Sequence, residues 1–160
     1  MAAQNAEGKT SRPPTIDDLV TVCRRLNEEG SKYLLIGGFA MNYYGLPRAT
    51  EDIDFLIDPS DSNIVKIKQA LSFLPDNAAR EVFPDDVQKY EVVRIADEIT
   101  IDLLKKACEM TFERAVAEYF EFKGVRIPIA DIQTMIKTKL GIRPKDREDL
   151  AFLKSILEES

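Results

Sequence analysis

Apolar positions along the chain switch between a helical and a strand period, and the switches divide it into elements. Met1 to Pro14 carries no apolar period and ends in Pro13-Pro14, which predicts a flexible arm over residues 1–14. Thr15 has the chemistry of an N-cap, and Ile16, Leu19, Val20, Cys23 and Leu26 recur at helical spacing up to Gly30. Tyr33 to Ile36 reads as a short strand running into Gly37-Gly38, followed by a brief helix from Phe39 to Tyr44. Asp52 to Asp58 alternates, with Ile53, Phe55 and Ile57 on one side and Asp52, Asp54, Leu56 and Asp58 on the other. Ile64, Ile67, Leu71 and Leu74 mark a helix that begins near Asp61-Ser62 and stops at Pro75.

The second half predicts strands over Tyr90 to Ala96 and Ile99 to Leu103, joined by a tight Asp97-Glu98 turn. A helix is expected around Thr111 to Glu118, then a hairpin from Tyr119 to Pro128 turning at Lys123-Gly124. Helices over Ala130 to Leu140 and Lys145 to Leu157 complete the chain. This mixed order predicts an α+β fold, a small, strongly twisted mixed sheet backed by helices.

Composition narrows the function. A chain of 160 residues that is 44% apolar and 31% charged has the profile of one globular domain. It holds no apolar run of the roughly 20 residues that cross a bilayer, so the expectation is a cytoplasmic protein with no membrane partner. Cys23 and Cys108 lie too far apart for a metal clip and read as core residues. Histidine is absent, so acid-base or metal chemistry has to rest on carboxylates and lysines. A net charge of −6 argues against a general nucleic-acid coat protein. Between Arg126 and Arg147, however, Arg126, Lys137, Lys139, Arg143, Lys145 and Arg147 outnumber Asp131 and Asp146. That asymmetry suits either two solvated faces or a polyphosphate site opposite an acidic one.

The candidate chemistry lies in Gly37-Gly38 followed by Asp52-Ile53-Asp54. Residues two apart in a strand point the same way, so Asp52 and Asp54 repel each other, which either a cation such as Mg²⁺ between them or an exposed strand edge would relieve. Glycines at a strand-to-helix turn let the backbone approach phosphates, although a plain tight turn has the same sequence. Asp102, on a strand flanked by apolar residues, is either a partner of Asp54 in the site, a residue of an exposed sheet face, or one half of a salt bridge to a nearby lysine. Lys139, Arg143 and Lys145 fit phosphate contacts as a cluster and an inter-helix turn singly. Arg48 and Thr50 precede the acidic strand and could steer a ligand, while Tyr43 and Tyr44 suit base stacking or the core.

Gly37-Gly38 with Arg48-Ala49-Thr50-Glu51-Asp52-Ile53-Asp54-Phe55 resembles the signature of the DNA polymerase β-type nucleotidyltransferase superfamily. More narrowly, it is similar to small prokaryotic members related to abortive-infection and toxin-antitoxin nucleotidyltransferases, and Ile127 to Leu153 resembles their helical tail. The resemblance implies a palm-like catalytic core over 15–128 with C-terminal helices over 129–160. It implies Asp52, Asp54 and Asp102 as catalytic metal ligands for Mg²⁺ or Mn²⁺. It further implies a nucleoside triphosphate such as ATP at Gly37, Gly38, Arg48, Thr50, Lys139, Arg143 and Lys145. The acceptor would be an RNA or protein hydroxyl, and a small helical partner protein would complete a toxin-antitoxin pair. Many members carry Ser where this chain has Gly38. That departure leaves room for a non-enzymatic nucleotide-binding or antitoxin-like module, and the carboxylates alone would also suit a metal-dependent hydrolase.

Overall fold

A computed structural model describes residues 11–141 and 143–159. Helix α1, Ile16–Glu28, starts at a reciprocal cap: the Asp18 amide donates to Thr15 Oγ1, and the Thr15 amide donates to the Asp18 carboxylate. Its buried stripe is Leu19, Val20, Val22, Cys23 and Leu26. Strand β1, Tyr33–Ile36, is buried at all four positions and leads directly into α2, Gly37–Tyr44, which stops at left-handed Gly45. Strand β2 spans Asp52–Ile57, and α3, Asp61–Ala70, runs on into a 3₁₀ turn at Leu71–Phe73.

A second 3₁₀ turn, Ala78–Glu81, and the short α4, Pro84–Lys89, lead to β3, Val92–Ala96, and β4, Thr100–Leu104. The two-residue strands β5, Lys106–Ala107, and β6, Met110–Thr111, pair with each other. After β7, Ala117–Phe122, and β8, Val125–Ala130, the described chain ends in α5, Ile132–Thr138, and α6, Pro144–Glu159.

Six strands form one mixed sheet in the order β3-β4-β2-β1-β8-β7. Strands β2 and β4 pair in parallel, as do β1 and β8, and the remaining neighbours, the central β2 and β1 included, are antiparallel. The α+β expectation therefore holds, and the core is built on Leu35, Ile53, Phe55, Ile57 and Ile101, each fully buried. Tyr33 meets Phe55 edge-on with ring centroids 5.2 Å apart. No helix among the described residues is long and apolar enough to cross a membrane.

One predicted helix is absent. Residues 111–118 make a single turn, with the Ala115 amide on Thr111 O, before the backbone extends into β7. Sheet pairing overrides the local helical spacing: Ala117 pairs with Ala130, and the Val116 amide is taken by Thr134 Oγ1. The helix expected over Ala130 to Leu140 is shorter because Asp131 caps it, accepting from the Thr134 amide at 2.8 Å. Of the expected arm, residues 1–10 lie outside the described residues. Ser11 and Arg12 are tied to the β3–β4 connection, Ser11 Oγ donating to Asp97 O and the Arg12 amide to Glu98 O.

That connection sets the register of the strands it joins. Asp97 is fully buried and its carboxylate accepts the amides of Asp76, Ala78 and Glu98. Replacing it, Asp97→Ala, orphans all three donors and is expected to cost about 3 kcal/mol. Urea unfolding of both proteins checks this, with Asp97→Asn expected to recover part of the loss.

Candidate active site

Two neighbouring parallel strands carry three carboxylates to one place. Asp52 and Asp54 share a face of β2, and the parallel register sets Asp54 beside Asp102 of β4. Among the described residues these acids form a cluster in which one oxygen from each lies within 4.8 Å of the others. The cluster is partly withdrawn from water, with Asp102 only 5% exposed. Burial, and then the charges of Asp52 and Asp102, push the Asp54 carboxyl up to about 8. Asp52 is raised too, by burial first and the Asp102 charge second.

Arg94, which sequence reasoning missed, answers this negative charge. Its Nε and Nη2 each donate to Asp102 at 2.9 Å, and Nη2 also reaches Asp52 at 3.2 Å. The arginine stands directly opposite Asp102 because Asp97, Glu98 and Ile99 all belong to the connection between the strands, with Ala96 pairing Thr100. The expected two-residue turn would instead pair Arg94 with Ile101 and turn it to the other face. A register counted from the correct turn would have found it.

The glycine pair borders the cluster. Gly37 opens α2 with φ of 75°, and a Cβ there would fall on the Asp54 carboxylate, 2.9 Å from its own Cβ. At Gly38 a Cβ would overlap the Thr50 methyl, so Thr50 fills the space a serine side chain would take. No side chain caps the first turn of α2. Both glycines of that turn line a common cavity.

This cavity, of about 560 Å³, brings together the three aspartates, both glycines, Arg94, Lys139, Arg143 and Lys145. A smaller one of about 220 Å³ lies between Gly38, Thr50, Asp52, Asp54 and Lys145. Lys145 thus lines both, and its charge opposes the upward shift of Asp52. Arg143 rims the larger cavity with its side chain 72% exposed and a two-point bond to Asp146. Lys139 is buried, its Nζ 2.9 Å from the fully buried Asp149 of α6.

Arg48 is placed differently from the other candidates. It lines neither cavity and turns its guanidinium to Asp149, so it anchors α6 to the loop before β2. Tyr43 stacks on Phe120 at 4.6 Å, and Tyr44 donates its hydroxyl to Ala130 O. Both rings are committed to packing around α2. Cys23 is buried as expected, whereas Cys108 is exposed and lines the larger cavity at a left-handed turn.

Comparison with known proteins shows the family and the fold. The family described as "Nucleotidyl transferase AbiEii toxin, Type IV TA system" matches residues 22–153. No sequence among curated proteins matches the chain. Solved structures share the fold. A Thermotoga maritima protein described as a nucleotidyltransferase, TM1012, superposes with a TM-score of 0.55 at 15% identity, covering 98% of this chain and 100% of its own. The lincosamide antibiotic adenylyltransferase LnuA, solved with lincomycin bound, gives 0.55 at 15%, covering 91% and 99%. An antigenic nucleotidyltransferase-like protein from Paracoccidioides brasiliensis gives 0.53 at 16%, covering 86% and 74%.

The raised carboxyl of Asp54 fixes a pH dependence for the protein in chelator. Its folded value of about 8 exceeds the ordinary 3.8, so the folded state binds one more proton than the unfolded chain between those values. The stability this contributes is complete below about 4 and is lost as pH rises through about 8. Thermal melts in EDTA from pH 5 to 9 should show wild type losing stability, and Asp54→Asn should flatten the slope. A second expectation concerns Asp149→Ala, which strands the buried charges of Arg48 and Lys139. It should cost about 3–5 kcal/mol in urea unfolding.

Proposed function

Because the chain belongs to the AbiEii family of nucleotidyl transferases, we propose that it moves a nucleoside monophosphate from a nucleoside triphosphate to a hydroxyl of RNA or protein. Three carboxylates converging within 4.8 Å beside an uncapped helix start carry this reading. They fit a divalent cation: the donors are hard oxygens, Asp54 carries the upward shift of crowded acids, and the glycine at position 37 keeps the space beside it open. Asp52, Asp54 and Asp102 would hold Mg²⁺ or Mn²⁺, and the bound cation would neutralise charge on the reacting phosphate oxygens.

The protein's own groups do the rest by orientation. The first amides of α2 donate to the polyphosphate, and Thr50, whose methyl packs against Gly38, lines the smaller cavity beside them. Lys145 and Arg143 face the same cavity and offset the charge of the triphosphate. Lys139, held by Asp149, closes the cavity wall, and Arg48 acts through Asp149 by keeping α6 in place. Asp102 would take the proton of the acceptor hydroxyl once Arg94 releases it. The acceptor oxygen then bonds to the α-phosphorus as the bond to the β-phosphate breaks, and pyrophosphate departs.

In cells such an activity would act as a toxin held in check by a partner protein. The direct test incubates wild type and the double variant Asp52→Ala, Asp54→Ala with labelled triphosphates, magnesium and cell extract. Label on RNA or protein should fall at least about a hundredfold in the variant. Equal labelling by the two proteins would overturn the assignment, and release of inorganic phosphate without transfer would mark a hydrolase instead.

A further inference from the structure

Arg94 comes from β3, the edge strand of the sheet, and lays its guanidinium across Asp102 and Asp52. Two of the three carboxylates that would hold a cation therefore already share a positive group. Donors at 2.9 Å on both Asp102 oxygens and at 3.2 Å on Asp52 set a full positive charge against the oxygens a divalent ion would use, so the guanidinium competes electrostatically with an ion for the cluster. The arginine is nonetheless not locked. Its side chain is 47% exposed and lines the same cavity of about 560 Å³ that the triphosphate would enter.

We propose that Arg94 is an exchangeable internal counter-cation: it fills the carboxylate cluster when no ion is bound and moves to the triphosphate when one arrives. The inference rests on the metal-dependent reading of the site. Phosphate oxygens offer the guanidinium the same two-point geometry as Asp102, so a triphosphate replaces what the arginine gives up. A divalent ion alone meets a site occupied by a positive group and binds weakly. An ion together with a triphosphate meets a site from which that group has been drawn away. Arg94 thereby couples ion affinity to nucleotide affinity, and by linkage the coupling runs equally in both directions.

A merely structural ion pair makes the opposite forecast, since losing Arg94 would then let the carboxylates drift apart and weaken ion binding. Calorimetric titration with Mn²⁺ alone separates the two for wild type, Arg94→Gln, Arg94→Lys and Asp54→Asn. Arg94→Gln should bind Mn²⁺ at least about fivefold more tightly than wild type. Arg94→Lys, which keeps the charge and loses the fork, should fall between them and carries the test if the glutamine variant does not fold. Adding a non-hydrolysable adenosine triphosphate analogue should tighten Mn²⁺ binding less in Arg94→Gln than in wild type.

Thermal melts give an independent reading. Arg94→Gln should melt below wild type in EDTA and gain more than wild type on adding Mn²⁺. Equal or weaker Mn²⁺ binding by both arginine variants, with wild type binding and Asp54→Asn not, would overturn the role of Arg94 and leave the metal site standing. Failure of every protein to bind Mn²⁺, even with the analogue, would overturn the metal reading and this inference together.

Discussion

Mutual repulsion among three carboxylates is the constraint around which the molecule is arranged. The parallel register of β2 and β4 forces Asp54 and Asp102 side by side, with Asp52 two residues along. An apolar sheet interior would never tolerate that arrangement unaided. Each neighbouring feature offsets it in a different way. The Asp54 carboxyl is shifted upward toward its neutral form, Arg94 spans the other two acids, and the bare backbone at Gly37 keeps a side chain out of the carboxylate's space. Lys145 adds positive charge from α6. The charge excess that the fold has to contain is the property that would make it grip a cation, so stability and function draw on the same electrostatics.

Much of this was legible in the sequence because it depends on short periods. The period of two placed Asp52 and Asp54 on one face without any knowledge of the sheet, and the alternation around Asp102 put it on a strand of similar character. Gly37-Gly38 announced a strand-to-helix turn, and Thr15 announced the start of α1. Misplaced features depend on counts or contacts outside the local window. Arg94 was invisible because one extra residue in the β3–β4 connection inverts which side chains share a face. The segment 111–118 had helical spacing but lies where a sheet edge offers hydrogen bonds, and the long-range pairing won.

Arg48 shows a different limit. A basic residue just before an acidic strand invites assignment to a ligand, yet its charge is spent on Asp149, one hundred and one residues away. Sequence gave no sign that a fully buried carboxylate on the last helix would require two cations. Lys139 answers the same demand from another element, and so a residue with the right chemistry for phosphate also has a structural duty. Thr50 is the reverse case: its place against Gly38 suggests a compensating pair that neither residue reveals alone.

The Arg48–Asp149–Lys139 tie also has a temporal meaning. During synthesis the aspartate strand, the glycine turn and Asp102 all leave the ribosome well before α6. Until residue 149 emerges, Lys139 lacks its buried partner and the Arg48 guanidinium lacks the carboxylate it turns to. A nascent chain therefore holds its acidic half early and receives last the carboxylate that pairs with Arg48 and Lys139.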